Sequence, residues 1–117
     1  MSIYEFTKAT KVQSKLRLAI FGPSGSGKTF TSLRLAKGMS EERARKVAVI
    51  DTEFGSSSKY ADRFAFDVLH LKNPTVDHMV SAINSAAAYD ILIIDSLTHA
   101  WKELLTQVDQ LSKAKYK

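Results

Sequence analysis

Apolar residues gather in four short runs along this chain, separated by polar loops and by stretches with helical spacing. Leu16-Arg17-Leu18-Ala19-Ile20-Phe21 is apolar but for one arginine. Val47-Ala48-Val49-Ile50-Asp51 and Ile91-Leu92-Ile93-Ile94-Asp95 are apolar runs that each end on an acid, and Phe66–Leu71 is a fourth run, broken by Asp67 and His70 and predicting a shorter strand. Near-continuous apolar runs bounded by turn residues predict parallel strands covered on both faces. Between them, Phe30, Leu33, Ala36 and Met39 recur at helical spacing and predict a helix to about Ser40. The charged run Glu41–Lys46 reads as its solvated end and connection. Asn73-Pro74-Thr75 opens a second helix, with Thr75 as N-cap and Val76, Met79, Val80, Ile83, Ala86 and Ala87 as its core stripe. Leu97, Trp101, Leu104, Leu105, Val108 and Leu111 line one face of a long third helix to about Ser112, with Trp101 in the core. Residues 1–15 show no period and read as an irregular lead-in, with a short strand as an option. Strand-helix-strand-strand-helix-strand-helix predicts an α/β fold with a mostly parallel sheet.

The connection after the first predicted strand carries the chemistry. Gly22-Pro23-Ser24-Gly25-Ser26-Gly27-Lys28-Thr29 fits G-x-x-x-x-G-K-[ST] at every fixed position, between a strand and a helix, where the motif belongs. A triphosphate is dense negative charge. Gly22, Gly25 and Gly27 allow backbone conformations closed to other residues, so successive N–H groups turn inward as an anion nest at a helix N-terminus. Lys28 supplies a point charge to the β- and γ-phosphates, and the Thr29 hydroxyl is a ligand for Mg²⁺. The competing account is a Gly/Ser-rich turn with an incidental lysine.

In an open parallel sheet, ligands sit beyond the carboxyl ends of the strands. The loop Thr52–Lys59 leaves the Asp51 strand at that edge. Asp95 ends the strongest strand there and is the candidate magnesium-site acid beside Thr29. Ser96-Leu97-Thr98 also reads as a helix start, so an aspartate cap is the alternative. A hydrolase needs a carboxylate that activates water, and Ser96 stands where many P-loop ATPases have a glutamate. Glu53, just past the Asp51 strand, is the candidate base, against a solvated loop acid. Asp62 and Asp67 are worse placed. His99 reads as a surface or helix-cap histidine. Tyr60 and the N-terminal aromatics are candidates for stacking on a base.

Composition narrows this little. The 117 residues amount to about one small domain, with 44% hydrophobic and 25% charged residues. There is no cysteine, and His70, His78 and His99 lack metal-ligand spacing. No apolar run approaches a membrane span, and the first residues lack a signal-peptide pattern, so a cytoplasmic protein is expected. The net charge of +5 suits a nucleic-acid partner, but part of it lies in the tail Lys113–Lys117, which a solvated tail explains as well.

The segments around these candidates resemble the RecA-like P-loop ATPases, and among them phage- and prophage-encoded ATP-binding proteins of AAA type. Asp51-Thr52-Glu53-Phe54-Gly55-Ser56 and Ile94-Asp95-Ser96-Leu97-Thr98-His99-Ala100-Trp101 carry the resemblance beside Lys28-Thr29, over residues 12 to about 112. It implies a RecA-like three-layer sandwich and Mg-dependent ATP hydrolysis with Glu53 as base. A role in phage DNA recombination or DNA metabolism, single-stranded DNA as partner and a homo-oligomeric ring or filament are implied as well. It also implies a strand between the glycine-loop strand and the Asp95 strand, and a further edge strand, both after the last helix. Residues 16–117 are therefore expected to be the N-terminal part of such a domain, with an incomplete sheet. A kinase for a small acceptor is the second reading, weakened because its only arginine cluster, Arg43 and Arg45, falls at the opposite edge. A nucleotide-binding assembly piece without catalysis is the third. A GTPase is disfavoured, for no Asn-Lys-x-Asp guanine reader is present.

Overall fold

The computed structural model describes residues 3–11, 15–23, 25–41 and 44–115. Strand β1 (Val47–Asp51) lies at the middle of a three-stranded parallel sheet, between β2 (Asp67–His70) and β3 (Ile91–Asp95). All five residues of β1 are buried, which is why its sequence tolerates no polar side chain before Asp51. The register sets Asp51 opposite both His70 and Asp95. The carboxyl ends of the three strands are therefore flush.

Alternate side chains of the sheet meet different helices. Val49 and Ile93 pack with Leu33 of α1 (Lys28–Glu41) and with Phe64, joined by Phe30, Tyr60 and Phe66. Ile50, Leu92 and Ile94 pack on the other face with Met79 and Ala82 of α2 (Val76–Ser85) and Ala100 of α3 (Thr98–Lys115). The two-residue period of the strands thus separates α1 from α2 and α3. Helix α2 opens as its sequence predicts, the Thr75 hydroxyl accepting the backbone N–H of His78 at 3.1 Å. It ends at Ser85, before Ala86 and Ala87, and its buried positions are Met79 and Ala82, while Val80 and Ile83 face outward.

Two expectations are corrected. Leu16–Phe21 forms no strand, and Leu16, Leu18 and Phe21 are exposed. A parallel strand exists only through a partner's ladder of backbone groups. Among the described residues β3 pairs with β1 alone, and the strand that the resemblance places between β3 and this apolar run is not among the described elements, so Leu16–Phe21 lacks its neighbour. Trp101 is not core: it is 59% exposed. Its neighbours Leu97, Leu104, Leu105, Val108 and Leu111 are exposed as well, and Ala100 is the one buried residue of α3. Amphipathic spacing shaped the helix, but no described element lies over its apolar face. Residues 3–11 are exposed and carry no strand. No helix among the described residues is long and apolar enough to cross a membrane.

The two leucines of α1 separate packing from propensity. Leu33 is 2% exposed and Leu35 is 44% exposed. Leu33→Ala is expected to lower unfolding free energy by about 2–5 kcal/mol, and Leu35→Ala by less than about 1 kcal/mol, in urea denaturation.

Candidate functional site

The glycine loop bends back on itself before α1 begins. Gly25 and Gly27 have φ of +80° and +89°, where a side chain would be strained. A Cβ on Gly22 would stand 2.8 Å from Ser26 Oγ, so a side chain there would force the Ser26 hydroxyl to turn away. The Ser26 N–H donates to the Pro23 carbonyl at 3.2 Å, and Thr31 N–H to Gly27 at 2.9 Å, which starts the helix. Ser24, predicted to belong to the loop, lies outside the described residues. The Lys28 ammonium folds over the loop and donates to the Gly22 carbonyl at 2.6 Å. The Thr29 hydroxyl donates to Asp95 Oδ2 at 2.8 Å.

The second half of the site is built by Asp51. This residue is 2% exposed. Its Oδ1 accepts the backbone N–H of Glu53 at 2.8 Å, two residues on, an Asx-type turn. Its Oδ2 accepts both the N–H and the hydroxyl of Ser57. The chain between them turns through Phe54 at φ +55° and Gly55 at φ +84° into a short 3-10 turn over Ser57–Tyr60. Burial pushes the Asp51 carboxyl up. The Ser57 hydroxyl, the two backbone N–H groups and the charge of His70 outweigh it and hold the group below its ordinary 3.8. From sequence, Asp51 stands out only as part of a strand end. The signal for its role lies in the small polar run that begins just after this strand-terminal aspartate.

Glu53 then points across to β3. Its Oε1 accepts the Ser96 hydroxyl at 2.7 Å and lies 3.9 Å from His99 Nε2. His99 is exposed, as a surface histidine would be, and is also a neighbour of the candidate base. Thr52 joins the same strand end, its hydroxyl accepting Ser96 N–H at 2.9 Å and donating to the Ser96 carbonyl at 3.0 Å.

Gly22, Gly25, Ser26, Gly27, Lys28, Thr29, Glu53 and Asp95 line one cavity of about 550 Å³, together with Phe21, Ser56, Lys59, Tyr60 and Ser96. The predicted Pro23 stands in the loop outside that lining. Ser56 Oγ is buried with no hydrogen-bond partner among the described residues. A pocket of this size holds a nucleotide-sized ligand.

The sequence model of the AAA domain family matches residues 14–117. The chain belongs to that family. Among curated proteins and among solved structures, nothing matches. Membership in the AAA domain family makes this an AAA-type P-loop domain and points to nucleotide binding and ATPase-type activity. Domains of this type generally bind ATP with Mg²⁺. The donor set of this AAA domain fits that pair. Positive-φ glycines give the loop the backbone turn of an anion nest, and the charge of Lys28 rests on the neutral Gly22 carbonyl. Thr29 and Asp95 present two oxygens side by side, a hard-cation ligand pair.

Lys28→Ala is expected to remove most of the melting-temperature rise that Mg-ADP gives the unaltered chain, a rise worth about 2.7 kcal/mol at a hundredfold excess over Kd. Differential scanning fluorimetry at fixed protein concentration measures it. The depressed Asp51 carboxyl sets a pH dependence. Its stabilisation is complete above the unfolded value of 3.8 and is lost as pH falls through the lower folded value. Ser57→Ala is expected to cost about 1–3 kcal/mol at neutral pH and to flatten the acid limb of the stability curve below about pH 4.

Proposed function

We propose that this chain is the nucleotide-binding part of a RecA-like Mg-ATPase of phage DNA recombination or DNA metabolism. The observation that carries the reading is the position of Glu53. Its carboxylate lines the same cavity as Lys28, Thr29 and Asp95, at the end of a strand adjacent to that of Asp95. In this reading the loop residues Gly22–Thr29 bind the triphosphate, and Lys28 leaves the Gly22 carbonyl for the β- and γ-phosphates. Magnesium held by Thr29 and Asp95 would supply positive charge to the phosphate oxygens. Glu53 orients the attacking water and takes its proton as the water oxygen bonds to the γ-phosphorus and the bridging oxygen leaves with ADP. Tyr60, on the cavity wall, is the candidate platform for the base.

Residues 16–117 form, in this proposal, the N-terminal part of the domain, with residues 1–15 leading into it. The edge position of β3, the unpaired Leu16–Phe21 run and the open apolar face of α3 support that reading. The same features favour a second reading, a nucleotide-binding piece whose role is assembly. For the ATPase reading, single-stranded DNA and further copies of the chain in a ring or filament are the proposed partners, and the cytoplasm the proposed place. A small-molecule kinase is less supported. Arg45 precedes β1, at the edge of the sheet away from the cavity, and Arg43 lies outside the described residues.

Phosphate release from Mg-ATP, with and without single-stranded DNA, tests the proposal. Turnover raised by DNA is expected, and Glu53→Gln is expected to lower it by about 10²- to 10⁴-fold while Mg-ADP still binds. Binding without turnover in the unaltered chain would favour the assembly reading.

A further inference from the structure

We infer that Ser96 is the positioning residue for Glu53, holding one carboxylate oxygen so that the other is presented to water, with His99 as a second support. This rests on the reading of Glu53 as the base. Glu53 stands on a loop, outside any strand, and its side chain is 39% exposed. A glutamate in that setting has three rotatable bonds and gains aim only from contacts with its carboxylate. Among the described residues, both contacts to its carboxylate fall on Oε1: the Ser96 hydroxyl at 2.7 Å and His99 Nε2 at 3.9 Å. Oε2 is the oxygen left for the proton of water.

The donor is itself fixed. A hydroxyl has a single proton and two acceptor sites. Ser96 Oγ lies 3.4 Å from the Thr98 N–H at the start of α3, an acceptor role that leaves its proton for Glu53. Thr52 clamps the Ser96 backbone from both sides, through the N–H at 2.9 Å and the carbonyl at 3.0 Å. The Thr52 N–H also donates to the Asp95 carbonyl at 2.8 Å. The division of labour follows. Asp51 holds the backbone from which Glu53 projects, Thr52 holds Ser96, and Ser96 holds the carboxylate. A serine directly after Asp95 therefore has a use that a second acid there would not serve, because a carboxylate has no proton to donate to Glu53.

The test is single-turnover hydrolysis of Mg-ATP by the 117-residue chain in excess over nucleotide, with Mg-ADP affinity measured alongside. Ser96→Ala is expected to slow hydrolysis about 10- to 100-fold, the scale of a misaimed group, with Mg-ADP affinity changed less than about twofold. Ser96→Thr keeps the hydroxyl and is expected to stay within about threefold of the unaltered rate. In a Glu53→Gln background, Ser96→Ala is expected to add nothing, as residues acting through one group do not add. If Glu53→Gln is slow and Ser96→Ala keeps the unaltered rate, this inference falls alone. It falls equally if Ser96→Ala slows both backgrounds by one factor, since its effect would then not pass through Glu53. If Glu53→Gln keeps the unaltered rate, the base assignment falls and this inference with it.

Discussion

The site depends on a buried carboxylate that does no chemistry. Asp51 closes the central strand, and an ion in that position is tolerable only if its lone pairs are filled. Three donors meet them, the Glu53 N–H and the N–H and hydroxyl of Ser57. The same bonds that make burial bearable bend the loop back across the strand end. Loop shape is thus a by-product of solvating one charge from within. The strained Phe54 and the left-handed Gly55 are where the chain absorbs the bend. Remove the charge and the loop loses its reason to turn there.

Flush strand ends give the arrangement its second constraint. Asp51, His70 and Asp95 share one level of the sheet, so whatever follows β1 and β3 begins side by side. Thr52 and Ser96 exchange hydrogen bonds, and Glu53 reaches Ser96. The residue after Asp95 is thereby tied to the loop of the neighbouring strand. The candidate metal-site acid and the candidate base are linked through two short polar side chains, on a scaffold whose two faces are covered by α1 on one side and α2 with α3 on the other.

What is local in this fold is legible in the sequence. A contiguous glycine loop with its lysine and threonine can be read by spacing, and the two apolar runs that end on acids name β1 and β3. Thr75 after Asn73-Pro74 marks a helix start without help from the rest of the chain. What depends on distant partners is hidden. Leu16–Phe21 has a strand's composition, yet pairing decides strandhood, and that apolar run meets no ladder. The stripe of α3 shows which face wants cover and cannot show whether cover is present, so spacing alone puts Trp101 in a core it does not occupy. At the site, Glu53 can be located by its place after a strand. Its tie to Ser96 spans 43 positions and becomes visible only once β1 and β3 lie in register. The role of Asp51 is legible in principle, since Ser57 is only six residues away, but an acid at a strand end draws attention as a ligand before it does as a brace.

The folded-back lysine has a consequence for how a guest enters and leaves. The Lys28 ammonium donates to the carbonyl of Gly22, six residues back along the loop. In the proposed reading, an arriving phosphate meets a partnered cation and displaces a carbonyl from it, so part of the attraction is consumed in the exchange. On departure the exchange reverses, and the carbonyl recaptures the ammonium as the anion lets go. The loop therefore behaves as a spring-return clasp, with a resting position of its own.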